Sequence, residues 1–250
     1  MNRSTVAVFI SVLLVAGCAV RLGGPKPVEH RTLGWVALPG ASPAEVASRI
    51  RGSMADVVLL AGPADSAWLA EVARHAALEP SGPGNAGSVG LAFLTAATLT
   101  DTLEGKPVGD TTVALPVGDD GHLVVHDALY RLGKGRWLDL MAVRIDPALD
   151  LRASVRALLQ YVATDVMPNA AVILGVEVPD SAAGDSIAAL LRPAFFDALD
   201  CRARAGKAET QRPPVRMRLF YGPEVQIDCR DVEFLEDDGN PLLARFVIVR

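Results

Sequence analysis

Ala55-Asp56-Val57-Val58-Leu59-Leu60 is a nearly unbroken apolar run with two β-branched residues at its centre. A run of this length and kind reads as a strand covered on both faces. Its flanks support that reading. Upstream, Leu33-Gly34-Trp35-Val36-Ala37-Leu38 reads as a first strand. Ser42-Pro43-Ala44-Glu45 then supplies an N-cap, a proline at the first helical position and an acidic first turn, for a helix ending near Ser53. Downstream, Ala64–Leu78 carries Trp68, Leu69, Val72 and Ala76 on one helical stripe. The first third is thus strand, helix, strand, helix.

Beyond a Gly/Pro-rich break at Glu79–Ser88 the pattern shortens to strands at Gly90–Leu94, Thr112–Pro116, His122–Tyr130 and Trp137–Ile145. A helix at Leu151–Asp165, a strand at Ala171–Val176, a helix near Asp185–Leu191 and a β-rich tail follow. Helices interleaved with strands at both ends, and antiparallel texture between them, predict a mixed α/β sandwich. A simple parallel doubly wound sheet fits less well.

Half of the 250 residues are hydrophobic and 21% are charged, enough to build a sizeable core. The net charge of −5 argues against a nucleic-acid partner, because phosphate binding draws on a Lys/Arg surplus. No Gly-x-Ser-x-Gly elbow, Walker A loop or Cys-x-x-Cys pair occurs. Beyond Cys18 the cysteines are Cys201 and Cys229, which read either as a disulfide or as two buried free thiols. As a disulfide they would close a loop of about 29 residues, stabilising by about 3 kcal/mol.

The N-terminus has its own organisation. Met1-Asn2-Arg3-Ser4 precedes an apolar stretch, Thr5–Val15, too short to span a bilayer, and then Ala16-Gly17-Cys18. Leu14-Val15-Ala16-Gly17-Cys18 resembles the lipobox of bacterial lipoproteins, which implies cleavage after residue 17 and acylation of Cys18 by palmitate-type chains. Two or more chains make such an anchor stable. With Ala19 next, the resemblance implies a cell-envelope protein on the periplasmic face of the outer membrane. Residues 1–17 are then a signal peptide, 18–31 the lipidated Cys and a tether rich in Gly, Pro and charge, and 32–250 one domain. The membrane is the expected partner through Cys18, with an envelope protein or a small anionic ligand as a second.

The order of elements resembles the endonuclease/exonuclease/phosphatase superfamily, the deoxyribonuclease-I-like fold. Ala55–Leu60 is similar to its "ADVVLLQE" strand, Gly90-Leu91-Ala92-Phe93-Leu94 to "GxAILS", and Gly135–Val143 to the strand before "NTHL". Ala171–Gly175 resembles the strand before "GDFN", Phe195-Phe196-Asp197-Ala198 "FxDA", and Pro241–Phe246 the last strand after "SDH". Arg156 and Gln160 lie in the helix where the family often has an Arg and a Gln. The resemblance implies a four-layer sandwich, two stacked mixed β-sheets flanked by helices.

Its catalytic positions are another matter. The Asn after the first strand is Val36, the metal-binding Glu is Gly62, and the His of "NTHL" is Arg144. The Asp and Asn of "GDFN" are Val176 and Val178, with Glu177 between; a further Asp is Arg218; the His of "SDH" is Gly239, beside a surviving Asp238. Val and Gly offer a hard cation no oxygen and a substrate no proton. The expectation is a pseudoenzyme with no catalytic residue, metal or cofactor, the alternative a metal-dependent phosphodiesterase with a rearranged site. Under the alignment Arg144 and Arg218 both point toward the former cleft, as an anion-binding pair or as salt bridges that fill it. Glu177, Asp180 and Asp185 form an acidic group, read as a relocated metal site or a capped loop. His122 and His126, four apart on a strand, read as solvated hairpin side chains or as two metal ligands.

Overall fold

In the computed structural model the chain begins with β1 (Pro27–Val36), which pairs antiparallel with β12 (Leu242–Val249) from Pro27↔Val249 to Gly34↔Leu242. The residues described are 27–37, 40–62, 66–81, 91–96, 109–118, 121–133, 136–166, 168–178, 181–204, 216–223, 227–235 and 240–249. The signal segment and Cys18 lie outside them. The strand starts five residues ahead of Thr32, inside the stretch read as tether. Gly and Pro made that stretch look open, but a partner strand from the far end of the chain supplies a hydrogen-bond ladder that local composition does not reveal.

On the other side β1 runs parallel to β2 (Val57–Ala61), the strand expected from the apolar run at Ala55–Leu60. Asp56, the acid in that apolar run, accepts from the Arg31 amide at 3.0 Å and returns its own amide to the Arg31 carbonyl at 2.8 Å. Between β1 and β2 comes α1 (Pro43–Ser53), with Ser42 Oγ accepting from the Glu45 amide at its N-terminus. After α2 (Ser66–Ala76), the first sheet is completed by β3 (Glu79–Ser81), β4 (Leu91–Thr95) and β11 (Ile227–Phe234), in the order β11-β12-β1-β2-β4-β3. β3 falls in the stretch read as a break.

The second sheet has the order β5-β6-β7-β8-β10-β9. Its strands are β5 (Gly109–Val117), β6 (Gly121–Gly133), β7 (Arg136–Arg144), β8 (Ala170–Glu177), β9 (Phe196–Asp197) and β10 (Met217–Tyr221). Three helices accompany it: α3 (Leu151–Thr164), capped by Asp150 Oδ1 on the Ala153 amide, α4 (Ser181–Leu191) and α5 (Ala198–Arg204). α4 starts at Ser181, four residues before the expected Asp185, and α5 interrupts the tail expected to be purely β.

Two six-stranded mixed sheets therefore stack face to face with α1–α4 outside, the four-layer sandwich expected, while α5 adds Ala198, Leu199 and Cys201 to the core between the sheets. Leu59, Phe93, Tyr130, Leu140, Leu219 and Phe246 interlock between the sheets, all fully buried. Each such side chain contributes about 1.5–3 kcal/mol. Leu33, Trp35, Val58 and Leu60 face α1 and α2 on one outer side; Val143, Leu174, Val176 and Phe220 face α3 and α4 on the other. The sheets approach most closely at two glycines. A Cβ on Gly34 would lie 2.8 Å from Met217 Cγ, and one on Gly175 2.8 Å from Leu59 Cδ2.

Candidate functional site

The contact of Gly34 with Met217 fixes which strand ends share one end of the sandwich. Val36 and Ala61 end β1 and β2; Arg144 and Glu177 end β7 and β8; Met217 opens β10 opposite Glu177. This is the end at which the resemblance places its catalytic groups.

Val36 is buried, and the Asn240 side chain spans its backbone, accepting from Val36 N at 3.0 Å and donating to Val36 O at 2.8 Å. Asn240 thereby ties the approach to β12 against the end of β1. The peptide bond from Asn240 to Pro241 is cis. At Gly62 a Cβ would meet both the Cβ and the carbonyl oxygen of Ala37 at 3.0 Å. Ala37 is held there by its amide, which donates to Ala61 O at 2.7 Å. A side chain at position 62 would make Ala37 give by a few tenths of an ångström, on a backbone at φ +155° that side-chain-bearing residues rarely adopt.

Arg144 and Glu177 are register partners on neighbouring parallel strands, and Arg144 Nε donates to Glu177 Oε2 at 2.5 Å. Arg218 is register partner to Val176, one residue away from Glu177. Because side chains alternate along a strand, that single step puts Arg144 and Arg218 on opposite faces of the sheet. The expected convergence of the two arginines on one cleft is thus corrected. Arg144 lies on the face toward the first sheet, and Arg218 on the face toward α4. Buried Arg218 donates from Nε and Nη2 to Asp197 Oδ2, at 2.8 and 2.7 Å, and from Nη1 to Asp185 Oδ1 at 2.7 Å. The salt-bridge alternative describes both arginines; at Arg218, whose Nε, Nη1 and Nη2 all donate to carboxylates, an added anion would have to displace one of them.

Asp197 Oδ1 also accepts from the Leu199 amide at 2.9 Å, so one carboxyl joins β9, the start of α5 and β10. Burial raises this carboxyl above its ordinary range, while Arg218 and the Leu199 amide act against that rise. Val176 and Val178 are buried with Ile187 and Leu191 of α4, far from any role in proton transfer. The acidic group divides: Glu177 goes to Arg144, Asp185 to Arg218, and Asp180 lies outside the described residues, as do Asp238 and Gly239.

These residues do not fit a divalent cation. Such an ion needs several oxygen donors, and among the described residues no group of three or more His, Cys, Asp and Glu side chains could hold a metal. His122 and His126 do not act together either. His122 is exposed, whereas His126 is fully buried, stacked on Phe93 at 4.7 Å between ring centroids. His126 Nδ1 lies 3.1 Å from Thr112 Oγ1. The expectation of two solvated histidines fails because position 126 faces the inner core with Ala128 and Tyr130.

Cys201 and Cys229 are buried thiols not joined in a disulfide, the second of the two alternatives. Cys201 Sγ donates to Cys229 O at 2.9 Å, fastening α5 to β11.

One cluster escaped the sequence reading. Asp127 on β6 and Asp139 on β7 lie diagonally across the outer face of the second sheet, both buried, and Tyr161 of α3 donates to Asp127 Oδ2 at 2.7 Å. Burial, then the Asp127 charge and a side-chain hydrogen bond with Asp127, push the Asp139 carboxyl up to about 9. Burial and Asp127 likewise raise the Tyr161 hydroxyl. The available signal was an acid within the strand Trp137–Ile145, at a position shared in period with Met141 and Val143.

No family model and no curated protein matches this sequence. Solved structures do match. One is an endonuclease/exonuclease/phosphatase family protein from Bacteroides thetaiotaomicron, 11% identical, with a TM-score of 0.61 over 90% of this chain and 100% of that one. TDP2 from D. rerio, complexed with a single-strand DNA product, is 13% identical, with a TM-score of 0.62 over 87% and 98% of the two chains. The human Nocturnin catalytic domain with a bound sulfate anion is 12% identical, with a TM-score of 0.59 over 90% and 98%. Identities this low speak for the fold alone. The fold of this chain is that of the endonuclease/exonuclease/phosphatase proteins.

Proposed function

We propose that this chain is a non-catalytic member of that fold, a lipid-anchored protein of the cell envelope whose domain binds or supports a partner. The observation that carries the reading is at Gly62. The position assigned to the metal-binding glutamate has no side chain, and a Cβ there would crowd Ala37 at 3.0 Å. Around it Val36 is sealed by Asn240, and Arg144 is paired with Glu177.

Attachment rests on the lipobox-like Leu14–Cys18. No helix among the described residues is long and apolar enough to cross a membrane, which leaves acylated Cys18 as the anchor in this proposal. Labelled palmitate should be incorporated by the full chain and not by Cys18→Ser. The label should fractionate with outer membranes; equal labelling of the variant would refute the anchor.

A second reading, a metal-dependent phosphodiesterase or phosphatase, draws on the structural neighbours, one described as a mannosyl-6-phosphatase from Bacteroides thetaiotaomicron. The two readings separate in an assay of protein lacking residues 1–18, with Mg²⁺ or Mn²⁺, against bis-p-nitrophenyl phosphate and DNA. The non-catalytic reading expects background rates. Turnover that needs metal and is abolished by Glu177→Gln or Asp238→Asn would establish the second.

A further inference from the structure

Asp127 and Asp139 sit in diagonal register on adjacent strands beneath α3, both buried. Two carboxylate oxygens cannot hydrogen-bond without a proton between them. Among the described residues the cation on this face of β6 and β7 is Arg131, diagonal to Asp139, but it is exposed and its guanidinium stands over the Trp137 ring, 5.4 Å from the centroid. Asp139 Oδ1 has no hydrogen-bond partner, and Tyr161 is a neutral donor to Asp127. Toward α3, β5 presents Val113 and Leu115, and β8 presents Val172 and Leu174. Besides Arg131, the titratable or charged described groups facing the pair are Tyr161 and, near the end of α3, Asp165, whose negative charge acts on Tyr161. Arg152 and Arg156 of α3 are exposed.

Tyr161 reaches this pair from the floor of a cleft of about 210 Å³ between β5 and α3, lined also by Leu115, Pro116, Ala157, Thr164 and Asp165. We propose that Asp127 and Asp139 share one proton that latches α3 onto the second sheet through Tyr161, so that losing the proton loosens α3 and widens this cleft. With both carboxyls ionised, two like charges would lie in a site of low polarity, and the least costly relief is for α3 to lift and admit water. Burial and the Asp127 charge hold the proton on through neutral pH. The latch is therefore closed in acid and neutral solution and opens as pH rises through the alkaline range.

Hydrogen exchange of the full-length chain in detergent, corrected for the intrinsic pH dependence of amide exchange, reads the latch directly. Protection of residues 151–164 should fall at least about tenfold between pH 6 and pH 10, the consequence of one proton released over a pH unit or more. Asp139→Asn, which keeps a hydrogen bond to Asp127 without a proton to lose, should hold its protection constant. Independently of any variant, infrared spectra at pH 7 should contain the carbonyl stretch of a protonated carboxylic acid in aspartate-labelled protein, absent at pH 10. Absence of that band at pH 7 would overturn the proposal. So would wild-type α3 protection that does not change with pH, or a pH dependence that Asp139→Asn retains.

Discussion

Arg218 shows how much one side chain can organise. Its guanidinium stands where the resembled enzymes have an aspartate, and it holds Asp197 and Asp185 together on one face of the second sheet. Removing one partner of a buried pair leaves the other charge uncompensated, at a cost of about 3–5 kcal/mol. Arg218→Met should lower stability by that amount in urea unfolding. Asp185→Asn should cost well under about 1 kcal/mol, because Asp185 is 69% exposed and its pair is screened. Asp139 allows a sign to be worked out. Its folded pKa, about 9, lies above the ordinary carboxylate value of 3.8, so folding takes up a proton between those limits. The stabilisation is complete below the lower value and is lost as pH rises through the window. Unfolding free energy should decline by up to about 1.4 kcal/mol per pH unit from this site. Asp139→Asn should remove that slope, measured by urea titration at pH 5, 7 and 9.

At the scale of elements, the two glycines at the sheet–sheet contact set how close the layers come. Gly34→Ala and Gly175→Ala each place a methyl group 2.8 Å from a neighbouring side chain, Met217 and Leu59 respectively. Overpacking of this kind costs about 1–3 kcal/mol, and thermal or urea unfolding of the two variants would check it. Most elements were legible in the sequence because their cues are local. The Ser42-Pro43-Ala44-Glu45 cap, the apolar run at residues 55–60 and the Trp68–Ala76 stripe each predict their element from neighbours in the chain. What was hidden depended on distant partners. The start of β1 at Pro27 rests on β12, and α5 is fastened through Cys201 to β11. The facing of Arg144 and Arg218 rests on a one-residue register difference between β7–β8 and β8–β10 that spacing along the chain cannot reveal. The Asp127–Asp139–Tyr161 cluster joins three elements, and no one of them announces it.

For the whole molecule, the proposal is that the fold has been kept without the chemistry. Two six-stranded sheets stack as in the hydrolases of this architecture, since apolar strands pack whatever their ends carry. At the end where those enzymes would act, Val36, Gly62 and Arg144 are engaged in packing, close backbone approach and an ion pair. The direct test is calorimetric titration of Mg²⁺ and Mn²⁺ into protein lacking residues 1–18, paired with the bis-p-nitrophenyl phosphate assay at the same metal concentrations. The account predicts no heat of binding at millimolar metal and no hydrolysis above background. Saturable metal binding accompanied by turnover, both lost in Glu177→Gln or Asp238→Asn, would contradict it.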